Sequence, residues 1–308
     1  MYMKKVIATP FYYSSNTTFV NSKNKSFEIY HNCIIQLFSQ IKSLNKEELD
    51  LMLFVNKDIN SEFREQLSTI GVRVVIVSDC KYSDENNIEN KFPGCLFLLD
   101  SIRHVQQMSL GDVLFLDSDI FVNKPIDLKT MFNDKVSFYT IPYEKHRKVN
   151  GRSVLELNND SVINMKYKTS NIKYCGGEYV YIPKNKLNDV CERIEFWFDY
   201  YNSIKACITE EHILSQVKHD LIDDSCSISE QMILKRVWNT GRFNNIEGNE
   251  EHYILLHMPA EKDKGFKLIT DKIKNNKLIS LNDFNLYSNR LMYLLKRIKQ
   301  EVSSRNVL

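Results

Sequence analysis

Two aspartates one residue apart, Asp117 and Asp119, follow directly on the apolar run Val113-Leu114-Phe115-Leu116 and precede Ile120-Phe121-Val122. Four apolar residues in a row predict a short buried strand, and the pair then stands at its carboxyl end, where open α/β sheets hold their ligands. Two carboxylates at such a place are costly unless a cation compensates them. A hard divalent ion, Mg²⁺ or Mn²⁺, suits their oxygens. Such an ion can bridge a diphosphate and stabilise charge on a leaving group. His257 ends a second apolar run, Tyr253-Ile254-Leu255-Leu256. A neutral imidazole there is a good third ligand; the plainer reading is a strand-end histidine bonded to a backbone carbonyl. Lys262 and Lys264 follow, with charge suited to offset a diphosphate.

Two further acidic positions stand out. Gly176 and Gly177 precede Glu178, and paired glycines permit close backbone approach or a positive φ; a plain turn before a strand is the alternative. Glu210 and Glu211 follow Thr209 at an expected helix start, where acidic residues are also ordinary partners of the helix dipole. Arg103 lies nine residues after Gly94 on an expected helix, either as a ligand contact or as a solvated charge.

The segment Val113-Leu114-Phe115-Leu116-Asp117-Ser118-Asp119 resembles the DxD segment of glycosyltransferases of the GT-A fold. That resemblance implies a nucleoside diphosphate sugar donor, Asp119 as metal ligand, and Asp117 on the ribose or the metal. Val6-Ile7-Ala8-Thr9 resembles the segment that cradles the nucleotide base, which puts Ala8 and Thr9 at the base. His257 with its lysines is similar to the His-then-Lys ending of family 8 retaining glycosyltransferases. Where that family has glycine and then lysine, this chain has Ala260 and Asp263, with Lys264 one later. The order DxD, Gly-Gly, acidic pair and His also resembles family 6 retaining transferases. There an acidic residue two before the His lies beside the anomeric carbon, which corresponds to Glu210; this chain has Thr209 where that family has Asp. The resemblance therefore implies Glu210, Glu211 and Glu178 as sugar-binding or catalytic carboxylates, and Arg103 and Lys264 as donor contacts.

Something must position these residues. Strands are expected over residues 6–9, 51–55, 72–77 and 113–116, with helices over 27–41, 61–70 (capped by Ser61) and 94–108. This β-α-β-α-β-α-β order predicts an α/β fold: a GT-A-like, Rossmann-like, mostly parallel sheet flanked by helices. Beyond it, strands are expected over 136–141, 179–182 and 253–256, and amphipathic helices over 187–201, 209–217 (capped by Thr209) and 283–302. The polar stretch 144–173 reads as a loop-rich insertion. The simplest division is a catalytic domain over residues 1–258 and a helical extension over 259–308.

Composition narrows the functional classes. The chain has 308 residues, 43% hydrophobic and 26% charged, with a formal net charge of +2; no global field draws it to nucleic acid. No glycine-rich phosphate loop, GxSxG elbow, HExxH pair or GxGxxG fingerprint occurs. Seven cysteines lie scattered without a CxxC pair, which reads as reduced, partly buried thiols rather than a zinc site. The apolar run after Lys5 is too short for a signal peptide or a membrane span, so a cytoplasmic protein is expected. Arg290, Lys296, Arg297 and Lys299 on the last expected helix either face water or meet an anionic membrane surface, which would place the protein peripherally on the inner face of the plasma membrane.

The expected activity is transfer of a hexose, from UDP-hexose by the resemblance, to a hydroxyl of a glycan or lipid-linked glycan. Retention of configuration and a place in surface polysaccharide or lipooligosaccharide synthesis go with it. One alternative is a sugar-phosphate nucleotidyltransferase, which would carry a glycine-rich basic loop where Tyr12-Tyr13-Ser14-Ser15-Asn16 stands. The other is a glycan-binding or scaffolding protein of the same fold without turnover.

Overall fold

The computed structural model describes residues 5–14, 26–47, 49–84, 93–163, 171–229, 231–240 and 243–275, and scattered positions from 277 to 295. The first half is the expected alternation: β1 (Lys5–Phe11), α1 (Glu28–Leu44), β2 (Asp50–Val55), α2 (Ser61–Ile70), β3 (Val72–Ile76), α3 (Pro93–Met108) and β4 (Asp112–Leu116). β1 lies between β2 and β4, parallel to both, and β2 pairs in parallel with β3. Their near-continuous apolar runs are explained by helices covering both faces. α2 is capped by Asn60, whose side chain accepts from the Phe63 N–H at 2.8 Å; Ser61 is instead its first helical residue. The helix stops at Gly71, whose φ of 88° suits a left-handed cap.

The second half runs β5 (Ile120–Val122), α4 (Leu128–Met131), β6 (Val136–Ile141), β7 (Lys148–Val149), β8 (Arg152–Ser153), α5 (Val154–Ile163), β9 (Tyr174–Ile182), α6 (Leu187–Ser203), α7 (Glu210–Asp220), β10 (Ser225–Ser227), β11 (Leu234–Arg236), β12 (Leu255–His257) and α8 (Gly265–Lys274). The central sheet has the order β10-β6-β9-β4-β1-β2-β3, and a small sheet has the order β11-β12-β5. β9 is antiparallel to both β4 and β6, so the sheet is mostly, not wholly, parallel. One apolar cluster packs α3, α6 and α7 on one face, another packs α1 and α2 on the opposite face. A third joins Cys33 of α1 to Phe121, Leu256 and Phe266, fastening α8 to the small sheet.

Residues 144–173 are not the loop-rich insertion their polarity suggests: they hold the β7–β8 hairpin and α5. The inner face of α5 mixes apolar Val154 and Leu157, which join the core, with polar residues. Asn158, Asp160 and Ser161 are buried; Asn158 accepts the Ile172 N–H at 2.9 Å, Asp160 pairs with Arg152, and Ser161 donates to Gln216. Buried polar side chains held by hydrogen bonds break up the apolar pattern there, so apolar periodicity did not reveal the helix. β9 begins five residues before the strand expected over 179–182, and takes in both glycines. Of the tail helix expected over 283–302, Arg290, Lys296, Arg297 and Lys299 lie outside the described residues; Leu291, Leu294 and Leu295 are exposed. Among the described residues no helix is long and apolar enough to cross a membrane.

Candidate active site

Backbone register assembles the site before any side chain is considered. Leu116 at the end of β4 faces Tyr179 of β9, and the Asp117 N–H donates to the Glu178 carbonyl at 3.1 Å. The chain then turns into β5, where Ile120 faces His257 of β12, and the Met258 N–H donates to the Asp119 carbonyl at 2.9 Å. His257 in turn faces Arg236 of the parallel strand β11. Asp117, Asp119, Glu178, His257 and Arg236 therefore converge from four strands of two sheets.

One oxygen or nitrogen from each of Asp117, Asp119 and His257 lies within 4.8 Å of the others. His257 Nε2 stands 3.2 Å from Asp119 Oδ1 and 3.5 Å from Asp117 Oδ2. Asp119 is fully buried, and its carboxylate oxygens and the ring nitrogens of His257 make charge contacts with one another, Lys262 and Glu178 but no well-aligned hydrogen bond. Buried polar atoms are rarely left so; a divalent ion would satisfy them, and the donor set of two carboxylates and an imidazole fits Mn²⁺ or Mg²⁺. Lys262 Nζ approaches Asp119 Oδ2 at 3.1 Å and lies 5.0 Å from the centre of the Tyr30 ring. Burial opposes charge on Asp119, but Lys262 and His257 outweigh it and hold the carboxyl far below its usual range. Burial likewise opposes charge on His257; Asp119 outweighs it and drives the imidazole toward its protonated form, so a divalent ion would compete there with a proton.

Behind His257 stands a second group of charges. Its Nδ1 faces Glu178 Oε1 at 3.4 Å, so the carboxylate is placed to orient the ring. Arg236 grips Glu178 through two bonds of 2.7 Å and reaches Glu211 Oε1 at 3.2 Å. Burial pushes Glu178 up, yet Arg236 outweighs it and the carboxyl settles at about 2. Glu211 also accepts from Asn150 at 2.8 Å and from the Tyr174 hydroxyl at 3.0 Å. The glycines serve close approach: a Cβ on Gly176 would lie 2.0 Å from Glu178 Oε2, and one on Gly177 2.6 Å from Glu210 Oε1. Neither glycine has a positive φ, and neither makes a turn, since both lie inside β9.

Glu210 and Glu211 open α7. Glu210 lines the cleft, and its Oε2 is buried without a partner. Burial, then the adjacent Glu211, raises its carboxyl to about 8. Thr209 is the cap, as expected, with an unforeseen partner: His212 Nδ1 accepts the Thr209 N–H at 3.0 Å, and its Nε2 lies 3.0 Å from the Val149 carbonyl. That fixes the tautomer with the proton on Nε2 and gives His212 a structural task.

The cleft above these groups has a volume of about 340 Å³, and Tyr30, Asp117, Glu178, Glu210, Arg236 and His257 are among its walls. Ala8 and Thr9 are buried inside β1, and the chain meets the cleft just beyond, at Pro10, Phe11 and Tyr12. Arg103 is paired with Asp79 at 2.7 Å and does not line the cleft. Lys264 is exposed and also stands outside it, whereas Lys262 lines it. Arg236 and Asn150 escaped sequence reasoning. β11 is three residues long, and Asn150 projects from a stretch that reads as loop; only the Asn150-Gly151 pair, a common hairpin turn, signalled it.

No protein-family model matches this sequence, and no curated protein matches it. Solved structures do. The galactosyltransferase LgtC, bound to donor and acceptor sugar analogues, aligns with a TM-score of 0.55 at 11% identity over 91% of this chain and 98% of its own. An active-site mutant of LgtC gives 0.56 at 11% identity over 93% and 99%. The bifunctional glycosyltransferase WbbM gives 0.55 at 10% identity over 93% of this chain and 51% of its own. At such identities the likeness shows the fold alone, which is GT-A-like and shared with these glycosyltransferases.

Proposed function

We propose that this protein is a metal-dependent glycosyltransferase that moves a hexose from a nucleoside diphosphate sugar, a UDP-hexose, to a glycan hydroxyl with retention. The observation that carries this reading is the triad of Asp117, Asp119 and His257 at the carboxyl end of β4, whose ligand atoms lie within 4.8 Å of one another. Mn²⁺ or Mg²⁺ held there would supply Lewis-acid stabilisation of a diphosphate leaving group. The residues around it have matching tasks. Lys262 places a buried positive charge beside Asp119, where a phosphate oxygen can share it. Glu178 keeps the His257 ring turned so that Nε2 faces the two aspartates. Tyr12, Phe27 and Tyr30 form an aromatic wall suited to a base. Glu210 and Glu211 face the cleft from α7, placed to bind the transferred sugar or to act on it. The residues up to 258 form the catalytic domain, and the following segment completes it by contributing Lys262. A role in surface polysaccharide or lipooligosaccharide synthesis, in the cytoplasm or peripherally at the membrane, agrees with this chemistry.

The test is release of nucleoside diphosphate from a panel of UDP-, GDP-, CMP- and dTDP-sugars with Mn²⁺ or with EDTA, for wild type and Asp119→Asn. Turnover of one donor, abolished by EDTA and by the substitution, is expected. If no donor turns over and calorimetry finds no metal-dependent nucleotide binding, the transferase reading falls and a glycan-binding protein takes its place.

A further inference from the structure

Beside the cleft runs an arm whose charge the proposed chemistry leaves unused. β7 and β8 form a hairpin closed by Asn150 and Gly151, both at positive φ, 52° and 101°. It is held at three points. The Leu155 N–H donates to the Lys145 carbonyl at 2.9 Å, His212 Nε2 donates to the Val149 carbonyl at 3.0 Å, and Asn150 donates to Glu211 in the cleft wall at 2.8 Å. The approach to the hairpin carries Lys145, His146, Arg147 and Lys148, all exposed.

The charge lies close to the cleft and is weakly compensated. The Arg147 guanidinium sits 4.7 Å from the centre of the Tyr143 ring, and the Tyr143 hydroxyl is 3.4 Å from Arg236 Nη1. Lys173, also exposed, stands one residue before the Tyr174–Ile141 pair. Among the described residues no salt bridge engages Lys145 or Arg147, and Lys148 meets Glu156 only at 3.9 Å with both side chains exposed. The cleft itself mixes both signs, with Asp117, Glu178, Glu210 and Glu211 set against Arg236, His257 and Lys262. An anionic group on an acceptor would be drawn to the arm, while a neutral hydroxyl of the same molecule can approach the carboxylates and donate hydrogen bonds to them.

We propose that the acceptor is an anionic glycan whose phosphate or carboxylate docks on Lys145, Arg147 and Lys148 while a neutral hydroxyl reaches the cleft floor. This rests on the transferase reading and narrows its acceptor class. The contacts are exposed, so their contribution is screened by salt, with a Debye length of about 10 Å at 0.1 M.

Binding of three probes, trigalacturonic acid, phosphorylated mannotriose and neutral maltotriose, is measured by calorimetry at low and high salt. The proteins are wild type, the double variant Lys145→Glu/Lys148→Glu, and the control Lys46→Glu/Lys129→Glu, with folding checked by circular dichroism. At least one anionic probe is expected to bind about tenfold or more tightly than maltotriose. That preference should vanish at high salt and in the arm variant and persist in the control; which probe wins separates carboxylate from phosphate. Equal binding of the neutral probe, unchanged binding in the arm variant, or no binding of any probe overturns the proposal. So does an arm variant that loses only adsorption to phosphatidylglycerol vesicles, which would make the arm a membrane contact. Donor hydrolysis by the wild type is scored separately. Hydrolysis without anionic-glycan binding removes this proposal alone; anionic-glycan binding with neither hydrolysis nor metal-dependent nucleotide binding overturns the transferase reading and leaves a glycan-binding protein.

Discussion

Arg236 chelates Glu178: Nε meets Oε1 and Nη2 meets Oε2, each at 2.7 Å, with the carboxylate almost wholly buried. Removing one partner of such a pair strands the other charge, which typically costs about 3–5 kcal/mol. Arg236→Met is therefore expected to lower the urea midpoint sharply. The double variant Arg236→Met/Glu178→Met should lose less than the sum of the two single changes, because neither member of the pair is left facing the other's vacancy; what remains is the loss of Arg236 to Glu211 and of Glu178 to His257. Additive losses in that double-mutant cycle would show that the pair is not coupled.

The sequence revealed the carboxylates and hid the cation that organises them. Asp117 and Asp119 were legible because a four-residue apolar strand points at them, and His257 for the same reason. Arg236 ends a three-residue strand in a sheet whose other strands, β12 and β5, are equally short, and no period can be read from three residues. The β-α-β-α-β-α-β half was legible because β1, β2 and β4 carry short, nearly continuous apolar runs and β3 is rich in β-branched residues. α5 was not, because Asn158, Asp160 and Ser161 share its buried face with Val154 and Leu157 and interrupt the apolar pattern. Lys262 and Lys264 could not be told apart in sequence; which of them enters the cleft follows from the short turn between β12 and α8.

Gly176 offers a test that keeps all charges in place. A Cβ there must move Glu178, since it would fall 2.0 Å from Oε2 and 2.7 Å from Cδ. Gly176→Ala is expected to destabilise the protein by about 1–3 kcal/mol. Because Glu178 orients the His257 ring, Mn²⁺ affinity should also fall, by roughly 10–100-fold. Gly151→Ala is the control: its φ of 101° makes alanine strained, but nothing lies within 4 Å of the added carbon. It should lose stability while Mn²⁺ titrations by calorimetry stay at the wild-type value. Unchanged affinity in Gly176→Ala would dissociate Glu178 from the metal centre.

His31 is half-buried, lies 3.9 Å from the Phe63 ring in a stacked arrangement, and meets the Tyr13 hydroxyl at 2.6 Å. Burial lowers its imidazole to about 4, and burial does the same for His212. Both rings are thus neutral in the fold. Their contribution is present above the ordinary value of 6.5 and is lost as pH falls toward 4, where the unfolded chain already binds the protons. Thermal melts between pH 7 and pH 4 should show a falling midpoint, with a shallower fall in His31→Gln. A variant whose midpoint falls as steeply as wild type would remove His31 from the acid response.

Glu210 makes the opposite prediction. Its carboxyl is raised from 4.5 to about 8 by burial and by Glu211. Below pH 4.5 the folded and unfolded chains both hold this proton, and the group is neutral in the balance. Between 4.5 and 8 the unfolded chain releases a proton that the fold retains, so stability falls by roughly 1.4 kcal/mol per pH unit. Above 8 both forms are ionised and the fall stops. Glu210→Gln keeps the shape and removes the titration. In protein freed of divalent ions, its melting curve should match wild type near pH 4 and lie several degrees higher at pH 8, the gap opening as pH rises. A constant gap at every pH would mean that Glu210 is not the protonated wall of the cleft. A gap that opens as expected would mean that near pH 7 this carboxyl carries a proton, placed to donate a hydrogen bond to whatever fills the cleft.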